Sequence, residues 1–283
     1  MGERARCTAP DGRAHYLFYR EFGSSNGPAI VFIHGFPTHS MDWANIVPAF
    51  LDRRVIVVDL LGFGASDKPR IAYTYQFQTD LILALFNKLA LTRATIVSHD
   101  YAVSIVQELL AREAEGRTSV TIEKCIFLNG GVFPELHRQQ RIHKLLRTPL
   151  LGRLVASLVS ANSLQHGLTR VAGKDHPWST DDAKSHFEGM RHASGKSVVP
   201  RLLHYIDERA ESAGRWVNAL RQAEAKIGFV WGPEDPVSGA HIAQRIRSEF
   251  SAAHLIELEG AGHYPHWEVP ERTAQAIRSL LEW

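Results

Sequence analysis

Cysteine is scarce in this chain: Cys7 and Cys125 are the only two among 283 residues. Two scattered thiols build neither a disulfide framework nor a metal knuckle. Cys125, within KCIFLNG, reads as core. A dominant charge is also lacking. The 32 basic side chains face 30 acidic ones, for a net +2. No Lys/Arg stripe appears, so nothing electrostatic points to nucleic acid. No apolar run approaches the ~18 residues of a membrane span. The opening MGERARCTAPDGR has no apolar stretch of the kind a secretory leader needs, so a cytoplasmic protein with no membrane partner is expected. GFGASDKP (62–69) looks like a phosphate loop at a glance but lacks the G-K-[ST] ending. No repeat or low-complexity linker is visible.

What is present is an ordinary globular composition, about 45% hydrophobic. The length suits one large α/β domain with an inserted lobe. The first half alternates strand and helix. HYLFYREFG (15–23), AIVFIHG (29–35), RVIVVDL (54–60), ATIVSHD (94–100) and TIEKCIFLNG (121–130) read as strands. Helices are expected over 76–90 and 102–115. Near-continuous apolar strands between helices imply a parallel sheet covered on both faces. Between 135 and 223 no clear strand pattern remains, and the stretch reads as a helical insertion. The sheet pattern resumes at KIGFVWG (226–232) and HLIELEG (254–260), with helices near 239–250 and from about 270. The expected layout is therefore a core of 1–134 and 224–283 with a helical cap over 135–223. Such a cap lies naturally over the carboxyl ends of the strands, where ligands bind.

Four loops at those strand ends carry candidate chemistry: HGFP (34–37), SHDYA (98–102), GPEDPV (232–237) and GAGHYPHWE (260–268). A strand turning sharply into a helix around small residues usually presents a nucleophile. In SHDYA the apical residue is Asp100. The chain order Asp100, Asp235, His263 matches nucleophile, acid, histidine in an α/β-hydrolase.

VFIHGFPTHSMDW, VVDLLGFGASDKP, IVSHDYA, FVWGPEDPV and GAGHYPHWEVPE together resemble the α/β-hydrolase superfamily. The resemblance is to its aspartate-nucleophile branch, the epoxide hydrolases and haloalkane dehalogenases. Within that branch, SHDY, NGGVFPE, LLHYIDER and GPEDPV are similar to the group of the mesoderm-specific transcript protein and its bacterial relatives. It covers nearly the whole chain. It implies an α/β-hydrolase fold, a small-molecule substrate and no cofactor or metal. Ser98 and Ala102 stand where the family usually has glycine, which crowds the turn. The resemblance places oxyanion donors at the backbone N–H groups of Phe36 and Tyr101. It places substrate contacts at His34, Pro37 and Trp178, although His34 also reads as packing of the oxyanion loop.

An aspartate nucleophile narrows the chemistry. A carboxylate needs no base for the first attack. On an sp³ carbon it gives an alkyl ester that water can cleave, whereas serine would give an ether. On an acyl group it would give a mixed anhydride. An alkyl electrophile is therefore expected, an epoxide or a carbon–halogen bond. His263 is then the base for ester hydrolysis, and Asp235 orients it; Glu135 is the rival acid. An epoxide oxygen needs a proton, which the resembled epoxide hydrolases take from two lid tyrosines. Tyr205 stands where the second would be. The first is not evident; His176 and Trp178 occupy that region. A halide needs N–H donors, and Tyr101 replaces the tryptophan that often follows the nucleophile. The alternatives are dehalogenation by the same triad and a scaffold kept for binding. His99 and His266 have no motif-backed role, and Ser104 falls too far into its helix for a nucleophile.

Overall fold

In the computed structural model the described residues are 2–24, 29–136, 138 and 141–283. Eight strands among them form one sheet: β1 (Glu3–Thr8), β2 (Ala14–Gly23), β3 (Ala29–Ile33), β4 (Arg54–Asp59), β5 (Arg93–His99), β6 (Thr121–Leu128), β7 (Ile227–Trp231) and β8 (His254–Glu257). Their order is β1-β2-β4-β3-β5-β6-β7-β8. β1 and β2 pair antiparallel, as do β2 and β4. All later pairings are parallel. The fold is the α/β-hydrolase fold that the resemblance implies, and its mostly parallel sheet is the one that the strand–helix alternation predicts.

The helices are α1 (Tyr75–Lys88), α2 (Tyr101–Ala114), α3 (Arg141–Leu146), α4 (Pro149–Leu158), α5 (Ala161–Thr169), α6 (Thr180–Arg191), α7 (Val199–Leu202), α8 (Tyr205–Gln222), α9 (Ala240–Glu249), α10 (Pro265–Glu268) and α11 (Pro270–Glu282). Every residue of β3 and β7 is buried, because both sheet faces are covered. Alternate side chains go to opposite layers. Val31, Ile33, Ile56 and Ile96 join α1, α2 and the inserted helices, whereas Ile30, Phe32, Val55 and Val97 meet Trp43, Phe50 and Ile277. Among the described residues, α3 to α8 lie between β6 and β7 with no strand among them.

β1 was not legible in the pattern. Its buried positions are Ala5 and Cys7, too small and too few among charged neighbours to mark a strand. Six strands end earlier than the quoted runs suggest: β3 at Ile33, β4 at Asp59, β5 at His99, β6 at Leu128, β7 at Trp231 and β8 at Glu257. The backbone leaves the ladder there to form the loops of the site.

One buried cluster fastens the insertion to the core. Glu108 on α2 is 2% exposed at its side chain. It accepts hydrogen bonds from Arg112 Nε (2.8 Å), Trp216 Nε1 (2.8 Å) and Arg215. Arg209, also on α8, donates to Ser104 Oγ at 3.1 Å and to Tyr75 Oη at 2.9 Å. Together these contacts fix α8, and with it Tyr205, against α2. Burial raises the Glu108 carboxyl, but Arg215, Trp216 and Arg112 outweigh it and hold it low. Removing one partner of a buried ion pair leaves an uncompensated charge and costs about 3–5 kcal/mol. Glu108→Ala should therefore lose at least about 3 kcal/mol in urea unfolding, while Glu115→Ala, which breaks more exposed pairs, should lose under about 1 kcal/mol. Equal losses would remove the fastening role from Glu108.

Candidate active site

The turn from β5 into α2 places Asp100 at a backbone φ of 46° and ψ of −104°. That conformation is rare for a residue with a side chain and costs on the order of 1–3 kcal/mol. Its surroundings hold it. Asp100 N–H donates to the Asn129 carbonyl at 2.9 Å, and the Asp100 carbonyl accepts from Val103 N–H at 3.2 Å. Two glycines make the room. A Cβ on Gly35 would fall 2.7 Å from Asp100 Cβ, and one on Gly130 would fall 2.9 Å from the Asp100 carbonyl oxygen. Ser98 and Ala102 are fully buried and small enough for the turn.

Phe36 N–H, in the loop after β3, donates to Asp100 Oδ2 at 2.9 Å. The other oxygen, Oδ1, lies 3.7 Å from His263 Nε2. His263 Nδ1 in turn meets Asp235 Oδ2 at 2.7 Å. Ser238 Oγ (2.5 Å), Asn129 Nδ2 (3.1 Å) and Val237 N–H (2.7 Å) also donate to the Asp235 carboxylate. Glu135 lies exposed on the short turn Pro134–Leu136; the carboxylate against His263 Nδ1 is Asp235.

Burial opposes charge on both partners, yet their pairing prevails. At Asp235, the charge and hydrogen bond of His263, with Ser238 and Val237 N–H, hold the carboxyl down to about 2. At His263, the charge and hydrogen bond of Asp235, then the charges of Asp100 and Glu268, lift the imidazolium to about 9.

Asp100 and His263 open onto a cavity of about 670 Å³. Core and insertion both line it: Phe36, Pro37 and Tyr264 on one side, Leu146, Leu164 and Tyr205 on the other. The volume is that of a small-molecule site. Tyr205 is buried, with its ring 5.1 Å from that of Tyr101 and 6.5 Å from that of Phe36. The side chain of Tyr101 packs on Tyr75 at 4.7 Å, off the cavity wall. Its backbone N–H opens α2 and belongs to the helix end whose first donors lack intrahelical acceptors.

Two expected substrate contacts are not on that wall. His34 is fully buried: its Nε2 accepts from Leu60 N–H at 3.1 Å and its Nδ1 meets the Gly35 carbonyl at 2.8 Å. Trp178 stacks on Trp267, with centroids 4.9 Å apart and planes within 3°. Pro37 does line the cavity.

Several contributors escaped the sequence reading. Glu268 Oε2 accepts from Gly262 N–H (2.6 Å) and Gly173 N–H (2.8 Å), while Oε1 accepts from Tyr264 N–H (2.8 Å). It ties the histidine loop to the insertion. Only its place in HYPHWE hinted at this. Tyr264 also lines the cavity, and its hydroxyl donates to the Phe36 carbonyl at 3.2 Å. Beneath the triad, ligand atoms of Asp42, His99 and His266 lie within 4.8 Å of one another, all buried. Burial favours neutral forms there: His266 falls to about 3, His99 falls well below its ordinary value, and Asp42 rises.

Comparison with known proteins agrees with this architecture. The sequence pattern of the alpha/beta hydrolase family matches residues 30–276. The chain is 34% identical over 260 residues to LipZ of Mycobacterium tuberculosis, covering 92% of this chain and 90% of that one. It is 36% identical over 269 residues to the human mesoderm-specific transcript homolog protein, covering 90% and 79%. The solved structure of the haloalkane dehalogenase DatA from Agrobacterium tumefaciens C58 superposes with a TM-score of 0.79 at 20% identity, covering 99% and 96%. The chain thus belongs to the alpha/beta hydrolase family.

Proposed function

We propose that this hydrolase opens an epoxide to a vicinal diol through an alkyl ester on Asp100. The observation that carries the proposal is the carboxylate at the apex of the β5–α2 turn, facing the cavity with His263 at one oxygen and the Phe36 N–H at the other. The serines of the elbow do not replace it: Ser98 is fully buried and off the cavity wall, and Ser104 accepts from Arg209, while Ser163, on the cavity wall, has its hydroxyl engaged by the backbone of Ser160.

In the first step an Asp100 oxygen attacks a ring carbon, the C–O bond breaks, and the alkoxide takes a proton from the Tyr205 hydroxyl. In the second step His263 removes a proton from water, whose oxygen attacks the ester carbonyl carbon. The N–H groups of Phe36 and Tyr101 hold the oxyanion. Collapse releases the diol, its departing oxygen protonated by His263, and leaves Asp100 as a carboxylic acid whose proton returns to the Tyr205 phenolate, restoring both groups.

Charge coupling orders these steps. His263 stands between two carboxylates, and both raise its proton affinity. Esterification removes the charge of Asp100. The imidazolium then releases its proton more readily and becomes a base when one is needed.

The epoxide reading is favoured over the halide reading by the cavity wall. Tyr205 lines it, and no tryptophan does among the described residues. Tyr264 is the second tyrosine there, but its hydroxyl is committed to Phe36. His166, also on the wall, is the other candidate donor; its Nδ1 is taken by the Asn162 carbonyl at 2.7 Å. The inserted helices 135–223 serve in this reading as the cap that excludes water.

His263→Gln should slow ester hydrolysis about 10³-fold. After exposure to a panel of epoxides, the peptide containing Asp100 should gain the mass of one substrate. An unmodified peptide, where the wild type turns that epoxide over, would remove Asp100 as nucleophile. Tyr205→Phe should slow ester formation by on the order of 10²-fold and leave hydrolysis of the ester unchanged; an unaltered first phase would return Tyr205 to packing. In single turnovers the hydrolysis phase should accelerate as pH rises through a midpoint below the free enzyme's value of about 9, because the ester lacks the Asp100 charge that helps to raise His263. Asp235→Asn removes the largest raising effect and should move that midpoint down. A hydrolysis phase flat in pH would exclude His263 as the base.

A further inference from the structure

α4 is built the reverse of a buried helix. Its inward positions are the small residues Gly152 and Ala156, and a Cβ on Gly152 would fall 1.9 Å from the Leu146 carbonyl oxygen. Its outward positions are Leu151, Leu154 and Leu158, exposed by 53%, 58% and 72%. The spacing i, i+3, i+7 puts the three on one stripe. Ile142 and Leu145, on the adjoining α3, add 43% and 41% exposure. Single exposed leucines need no explanation, but five large apolar side chains on two consecutive packed helices form a patch that marks an interaction surface.

Cations flank the patch. Arg147, in the turn between α3 and α4, and Arg153, on α4, line a groove of about 360 Å³ with Arg70 and Arg201. Arg147 pairs with Asp207. The other three have no carboxylate partner among the described residues. Ile142 is shared between the patch and the cavity, being exposed and also part of the cavity lining. No helix among the described residues is long and apolar enough to cross a membrane, so a contact made here is with a surface.

We propose that α3 and α4 form a docking surface for an anionic phospholipid bilayer. The leucines enter the acyl boundary and the arginines bear on headgroup phosphates, the pairing of forces that holds interfacial helices. A second copy of this chain fits less well, because a twofold contact through the patch would bring the two sets of arginines together. None of these residues belongs to the triad, so the surface is testable without a substrate.

The full chain should be floated on a density gradient with vesicles of phosphatidylcholine alone and of phosphatidylcholine with phosphatidylserine. We expect it to rise with the anionic vesicles, severalfold more than with the neutral ones, and less at high salt. Leu154→Glu with Leu158→Glu should weaken partitioning at least about tenfold. Arg153→Glu should weaken it at least about fivefold. Both variants alter exposed positions and should keep the wild-type melting temperature. Three results would overturn the proposal: no flotation with either vesicle, flotation unchanged in variants that melt like the wild type, or a dimer in light scattering that the leucine variant splits. Complete release by millimolar inorganic phosphate would do so too, because the groove would then bind a free anion and not a bilayer.

Discussion

The site depends on one backbone conformation, the positive φ of Asp100. In an ordinary extended or helical conformation the carboxylate would follow β5 into the sheet or α2 into the core. At φ 46° it stands clear of both and reaches the Phe36 N–H. The strain persists because its neighbours over-determine the turn. Below it, β5 is locked by parallel pairing to β3 and β6. Above it, the first two turns of α2 are wholly buried. Beside it, Gly35 and Gly130 leave the space that a methyl group would fill. A local cost of a few kcal/mol is offset by interactions that belong to the whole domain.

The acid and the histidine are held differently, on loops that leave β7 and β8. Loops are mobile unless their polar groups find partners. Asn129 accepts from Gly232 N–H at 2.7 Å while its amide donates to the Gly232 carbonyl and to Asp235. Glu268 gathers three backbone N–H groups, one of them from the insertion. Each loop is thus fixed by a side chain from a neighbouring element. The His263–Asp235 distance is set by the sheet's strand order as much as by the pair itself.

This division explains what could be read in advance. The strand–helix alternation, the elbow, and the identities of Asp100, Asp235 and His263 are local in the chain: short apolar runs ended by distinctive loops. Phe36 and Pro37 follow from the same logic. The edge strand β1 escaped because small buried residues carry little hydrophobic signal. Trp178 and His34 were assigned to the cavity by analogy of position. An indole in a loop carries no mark of which way it faces, and here a stack on Trp267 claims it. Glu268 and Asn129 were invisible for a related reason. Their role lies in bonds to backbone far away in sequence, and backbone donors leave no imprint on residue type.

The buried histidines beneath the triad follow from the same electrostatics. The His99 ring lies 5.0 Å from His263 and 4.5 Å from His266. Were either charged, it would repel the His263 imidazolium and lower its proton affinity. Burial keeps both neutral. His99 Nε2 lies 2.8 Å from the His263 carbonyl. A carbonyl only accepts, so Nε2 carries the proton and Nδ1 is bare. That bare nitrogen faces Gly35, where an added Cβ would fall 2.8 Å away. A neutral imidazole therefore steers the backbone of the charged one. It also requires a glycine in the loop after β3, which couples the position of the Phe36 N–H to that of His263. The two groups that face the Asp100 carboxylate oxygens are thereby aligned through one fully buried imidazole.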